Sequence, residues 1–219
     1  MNRREALSRV SLLLGGTVIG AEFFLSGCKN SEAGNLLLDE KDISLLDEIG
    51  ETIIPTTADS GGAKAAKIGE FMKITVNDCY TKNQQTTFVE GLKSFQQSVN
   101  QQYKKDFLSL SVAEREAFLT ALDKEAREYT KTDDYKQKKK AFDQQQNQWV
   151  KEQEAQQNFG AVKMKEGFPP HYYTLIKQLT LLGYFTSKEG ATKALRYMET
   201  PGKYDGAYPY KKGDKAWAI

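Results

Sequence analysis

Residues 171–187 read HYYTLIKQLTLLGYFTS. Tyr173, Ile176, Leu179 and Leu182 or Gly183 recur at three- and four-residue steps, the period of a helix with one face turned inward. The abundance of leucine predicts that this helix is central, and Gly167, Phe168, Pro169 and Pro170 punctuate the chain just before it. A central helix needs neighbours with apolar stripes of their own, and the chain upstream supplies them.

Residues 39–55, DEKDISLLDEIGETIIP, place Ile43, Leu46, Ile49 and Ile53 along one face, widened by Leu45 and Ile54. Pro55 ends the helix, because it has no N–H to donate and restricts the residue before it. After the loop TTADSGGAKAA, a second helix is expected from about Ala63 to Tyr80, with Ile68, Phe71, Met72, Thr75, Val76 and Cys79 inward. Phe88, Leu92, Phe95, Val99 and Tyr103 define a third. Ser111 and Glu114 form a capping-box signature, and Phe118, Leu119, Leu122, Ala126 and Tyr129 make the buried stripe of a fourth. Residues 133–157 are the most polar stretch; Tyr135, Phe142 and Trp149, seven apart, give it one narrow seam for the domain's own core or for a partner helix. Lys138, Lys139 and Lys140 are diluted by acids and glutamines and read as a solvated face, so no nucleic-acid partner is implied. SKEGATKALRY predicts one short helix, after which ETPGKYDGAYPYKKGDKAWAI is rich in Pro, Gly and aromatics. No repeat and no strand-like alternation is evident. The expectation is an all-α protein: a single irregular helical domain of about five to seven helices with an aromatic, Pro/Gly-rich C-terminal tail.

The first residues, MNRREALSRVSLLLGGTVIGAEFFLSGC, follow a different plan. Arg3, Arg4 and Arg9 precede an apolar run from about Val10 to Leu25, the order of a secretory signal. Diluted by Gly15, Gly16, Gly20 and Glu22, the run falls short of the roughly 20 apolar residues of a spanning helix. Leu25, Ser26, Gly27 and Cys28 resemble a lipobox, in which the cysteine is acylated and the chain is cut before it. Arg3 and Arg4 resemble a twin-arginine motif, although Asn2 and Ala6 stand where that motif prefers Ser or Thr and Phe. The expected organisation is residues 1–27 as a twin-arginine-like lipoprotein signal, 28–38 as a lipid-anchored tether and 39–219 as the helical domain. The product would be exported to the cell envelope and held at a membrane as a periplasmic lipoprotein. Removing three arginines and two glutamates with the signal lowers the formal charge from +2 to about +1, which points to no strongly charged partner. With Cys28 acylated, Cys79 is the only remaining thiol, so an intrachain disulfide is excluded and Cys79 is expected to be buried and inert.

Little in the chain carries chemistry. No glycine-rich fingerprint follows a predicted strand, and CxxCH, HExxH and paired cysteines are missing, which argues against nucleotide, flavin, covalent haem or histidine-based zinc binding by this chain. His171 is the only histidine; opening a helix after two prolines, it reads as a surface or capping group. Cys79 as a nucleophile would need His171 brought to it by the fold. Asp39, Glu40 and Asp42 suit a helix N-terminus, and Asp47, Glu48 and Glu51 are expected on the solvent face, so no metal is required. No catalytic, cofactor or metal residue is assigned. Tyr204, Tyr208, Tyr210 and Trp217 are the candidate partner interface, since aromatics of this kind are enriched at protein interfaces; the alternative is that they fold back and seal the domain's own core.

Three segments carry a resemblance: IGETIIPTTADSGGAKAAKIGEFMKITVNDCY at 49–80, LIKQLTLLGYFTSKEGATKAL at 175–195 and PGKYDGAYPYKKGDKAW at 201–217. On these the chain resembles the subunit 3 family of gluconate 2-dehydrogenase. The resemblance implies a non-catalytic accessory subunit that binds, escorts through export and anchors a large subunit. That partner would be an FAD-dependent sugar or sugar-acid dehydrogenase of the glucose-methanol-choline class, and in many such complexes a cytochrome c subunit carrying haem c passes the electrons on. The family has no motif of catalytic residues to carry over. A free-standing lipid-anchored binding or structural module without a dehydrogenase partner is the competing reading, and an independent enzyme using Cys79 or His171 is a third.

Overall fold

In the computed structural model the described residues are 38–162, 165–200, 202 and 205–218. Among them the elements are α1 (Glu40–Ile53), α2 (Ile68–Cys79), α3 (Lys82–Tyr103), a 3-10 turn (Phe107–Ser109), α4 (Val112–Tyr129), α5 (Asp133–Ala155), α6 (Phe159–Val162), α7 (Tyr172–Thr186) and a π turn (Gly190–Ala194). The protein is all-α, a single helical domain with no strand among the described residues.

The helix starts follow local chemistry. Asp39 accepts the Lys41 and Asp42 N–H groups while Asp42 reaches back to the Asp39 N–H. Thr81 with Gln84 and Ser111 with Glu114 repeat that reciprocal arrangement on α3 and α4. Each pair satisfies donors that a helix start leaves free, typically worth about 1 kcal/mol.

The predicted stripes meet in one core. Leu45, Leu46 and Ile49 of α1, Ile68, Met72 and Val76 of α2, Phe88, Leu92, Phe95 and Val99 of α3, and Phe118, Leu119 and Leu122 of α4 join Tyr173, Leu175, Ile176 and Leu179 of α7. The last of these helices is central, as its composition predicts, and touches α1, α2, α3 and α4. Two glycines allow the approach. Gly91 of α3 lies against Tyr172, and any Cβ there would collide with the base of that side chain; a Cβ on Gly183 would come within 2.5 Å of Ile68 and Phe71.

Several expectations need correction. The second helix begins at Ile68 rather than near Ala63: residues 63–67 form a turn that ends with Lys67 in the left-handed region (φ 53°), a conformation an α-helix cannot continue through. Cys79 is exposed. It ends α2, and the inward position of that last turn goes to Tyr80, which packs edge-on against Phe88. The segment expected as a short helix after Ser187 is the π turn 190–194.

Asp47, Glu48 and Glu51 are not on a solvent face. Asp47 accepts the Gly69 N–H at 2.8 Å. Glu48 pairs with Lys64 and with Arg115, tying α1 to the following loop and to α4. Glu51 accepts the Thr56 N–H and hydroxyl and the Lys64 N–H. Burial alone would raise the Glu51 carboxyl, but these hydrogen bonds hold it below the usual carboxylate range.

α5 buries none of its residues. Its seam lies on its own chain: Tyr135 and Phe142 both pack edge-on against Phe168, with ring centroids 5.3 and 5.5 Å apart, and Trp149 is half-buried.

Replacing Gly91 with Ala separates two effects of opposite sign. Helix propensity alone predicts a gain of roughly 0.5–1 kcal/mol, whereas the collision with Tyr172 predicts a loss of about 1–3 kcal/mol. Urea denaturation of Gly91→Ala is expected to show the loss.

Candidate interaction surface

The C-terminal tail is built from Arg196. Its N–H donates to the Ala216 carbonyl and its own carbonyl accepts from the Ala218 N–H, each at 2.7 Å, which forms an isolated parallel bridge between Arg196 and Trp217. The side chain continues the link. Its Nε donates to the Lys215 carbonyl at 2.8 Å, and the guanidinium lies 4.7 Å from the Trp217 ring centre and 5.6 Å from that of Tyr208. Asp214 supplies a carboxylate 3.7 Å away, and Tyr208 meets Trp217 edge-on with centroids 5.5 Å apart. Lys215 also reaches back to the Lys193 carbonyl. One arginine therefore closes the loop between positions 196 and 217.

This arrangement departs from the alternative in which the aromatics seal the domain's own core. The tail folds back, but onto the turn that follows α7, not over the core. Tyr208, Tyr210 and Trp217 keep 51%, 74% and 42% of their surface exposed. Together with Arg196, Asp205 and Asp214 they line a cleft of about 580 Å³. The structure brings Tyr208, Tyr210 and Trp217 into one place. Tyr204, Arg3, Arg4 and Cys28 lie outside the described residues.

Arg196 was not singled out from sequence. The only signal available was an arginine flanked by apolar and aromatic residues ahead of a tail rich in Tyr and Trp, the composition in which cation–π contacts form. A second missed feature lies on α7. Gly183 is the buried member of the predicted Leu182-or-Gly183 pair, while Leu181, Leu182 and Phe185 are exposed on the face away from the core. The end of this helix is held to the 55–62 loop: Tyr184 donates its hydroxyl to the Gly61 carbonyl at 2.7 Å, and Glu189 accepts the Gly61 N–H at 2.6 Å.

Cys79 and His171 are not brought together. His171 is the N-cap of α7, accepting the Tyr173 N–H, and it faces Glu125, Tyr129 and Tyr172 rather than Cys79. Among the described residues no group of three or more His, Cys, Asp or Glu is placed to hold a metal ion. Also among them, no helix is long and apolar enough to cross a membrane.

The fold and this surface define a helical chain whose unusual feature is exposed aromatic and leucine side chains on a well-fixed frame. Residues 40–202 match the sequence model of the family described as gluconate 2-dehydrogenase subunit 3, and the chain belongs to that family. The match runs from the start of α1 past Arg196; the tail from 203 onward, with Tyr208, Tyr210 and Trp217, lies beyond it. Searches among curated proteins and among solved structures found no match.

Arg196→Ala removes two exposed ring contacts, each worth roughly 0.5–1 kcal/mol, together with the Nε hydrogen bond. Trypsin cleavage at Lys211 and Lys212 is expected to accelerate about tenfold, while the melting temperature of the bundle stays within about 3 °C. Arg196→Lys keeps the charge but not the planar stack, and is expected to restore little of the protection.

Proposed function

We propose that this chain is a non-catalytic accessory subunit that binds, escorts through export and anchors a periplasmic FAD-dependent sugar or sugar-acid dehydrogenase of the glucose-methanol-choline class. The observation that carries the reading is membership of a family named as one subunit of a dehydrogenase. FAD belongs to the partner large subunit, and haem c to a further cytochrome c subunit where the complex has one.

Two features support the division of labour. The 38–218 part spends its buried surface on holding its own helices together and leaves Tyr208, Tyr210, Trp217, Leu181, Leu182 and Phe185 facing outward. Aromatic and arginine side chains on a preorganised frame lose little conformational freedom on contact, which is why they dominate binding energy at protein interfaces. The N-terminal residues supply the rest: Arg3 and Arg4 address an export route suited to folded cargo, and Cys28 carries the lipid that keeps the pair at the membrane.

Isolation of the tagged full chain from membranes in mild detergent is expected to bring a yellow flavoprotein with it. Recovery of the subunit alone would favour a free-standing lipid-anchored module instead. The triple variant Tyr208→Ala, Tyr210→Ala, Trp217→Ala is expected to weaken flavoprotein capture at least about tenfold without changing the helical content.

Replacing Arg3 and Arg4 with lysines is expected to retain both proteins inside the cell, read by fractionation. Continued export of the flavoprotein would contradict shared transport.

A further inference from the structure

His171 sits where three parts of the chain meet. It precedes α7, and its Nδ1 accepts the Tyr173 N–H at 3.3 Å, closing the first turn of the central helix. Its ring packs on Tyr129 of α4, with centroids 5.3 Å apart, and on Tyr172 of α7 at 4.4 Å. Ring contacts continue outward from Tyr129 to Tyr135 at 5.1 Å, from Tyr135 to Phe168, and from Phe168 to Phe142. This aromatic series is what fastens α5, a 23-residue helix with no buried residue, to the body. Polar bonds add to it through the segment after α6: Lys165 donates to Asn147 and the Glu166 N–H to Gln146, while Asn83 of α3 donates to the Glu166 carboxylate.

We infer that His171 is a proton-sensitive latch: neutral, it locks the start of α7 and the aromatic series that carries α5 onto α4; protonated, it loosens both. The geometry requires a lone pair on Nδ1, because the Tyr173 N–H points at it. A proton on Nδ1 would set two N–H groups against each other and remove the cap. The charged ring would also have to remain 9% exposed between tyrosines.

The charged and titratable groups around it do little to offset this. On α4, Glu125 lies 4.0 Å from Nε2, but its side chain is 70% exposed and its attraction is screened by water. Asp123 of α4 is already paired with Lys177 and Arg127. Tyr172 and Tyr173 of α7 stay neutral, burial pushing the Tyr173 hydroxyl up to about 12 and that of Tyr172 higher still. Tyr129 of α4 and Tyr135 of α5 present rings, and α3 approaches through Gly91, which lies on Tyr172. Burial accordingly lowers His171 below the usual histidine range, with Glu125 pulling it back only in part. The folded chain then binds this proton less readily than the unfolded one. The contribution of the latch is full above the ordinary histidine value of about 6.5 and is lost as pH falls from there through the lowered value.

Because His171 is the only histidine, its ring C–H signals in the full-length protein in detergent micelles can be followed directly by NMR. The expected midpoint lies below 6.5. Hydrogen exchange corrected for intrinsic rates is the second readout: protection across 135–176 is expected to fall at least about threefold from pH 7.5 to 5. In His171→Asn the amide oxygen can still accept the Tyr173 N–H but does not titrate, so protection is expected to be equal at the two pH values. A midpoint at or above 6.5, or the same pH-dependent loss in His171→Asn, would overturn the inference. Should that variant fail to fold, the wild-type protein decides: the fall in protection has to follow the NMR midpoint, and protection unchanged between pH 7.5 and 5 would overturn the inference.

Discussion

The close approach of α7 to its neighbours is the constraint on which the rest depends. Gly91 and Gly183 leave no room for a Cβ against Tyr172 and against Ile68 and Phe71, so Tyr172 of α7 packs directly onto the α3 backbone and Ile68 and Phe71 of α2 directly onto that of α7. Close packing of this kind maximises dispersion contact and makes the interior intolerant of added volume. The consequences spread outward. α2 must be delivered to α7 by a short, fixed connection, and Glu51, Thr56, Tyr184 and Glu189 satisfy the backbone groups of the 55–64 loop that makes it. Glu48 holds Lys64 and Arg115 together, which locks that loop and α4 to the same turn of α1.

Much of this was legible in the sequence, because helix stripes and caps are written in residues three and four apart. Ile43, Leu46 and Ile49, the Phe88–Val99 series, and the Ser111–Glu114 box are all local patterns, and all are found in place. The failures share a different character. Glu51 and Glu48 look like solvent-facing acids until the chain returns with Lys64, and Glu189 meets Gly61 only through the tertiary fold. Cys79 fits an inward helical position by counting, but Tyr80 fills the space. Arg196 could not be picked out, because its ring partners Tyr208 and Trp217 arrive from a tail with no regular periodicity.

The molecule thus separates into parts with different physical jobs. Helices α1 to α4 and α7 build the core, while α7 also keeps Leu181, Leu182 and Phe185 exposed. α5, polar apart from its one aromatic seam, remains outside that core and is attached through rings. The tail uses an arginine, a two-bond bridge and an edge-on aromatic pair to fix a loop that keeps Tyr208, Tyr210 and Trp217 exposed to water. Among the described residues the tail thus presents exposed aromatic side chains on a hydrogen-bonded loop, an arrangement that suits the accessory role proposed above. Membership of the gluconate 2-dehydrogenase subunit 3 family, carried by residues 40–202, makes the chain one subunit of a dehydrogenase complex.

The central proposal is that the aromatic tail meets the flavoprotein, whereas the seam of α5 is turned onto Phe168 of its own chain. A photo-crosslinking amino acid placed at Tyr210 in the full chain, compared with one at Lys138 on α5, tests it most directly within living cells. The account predicts that the Tyr210 probe links to the FAD-bearing large subunit and the Lys138 probe does not. Linkage to that subunit from position 138 alone, or from neither position, would contradict it.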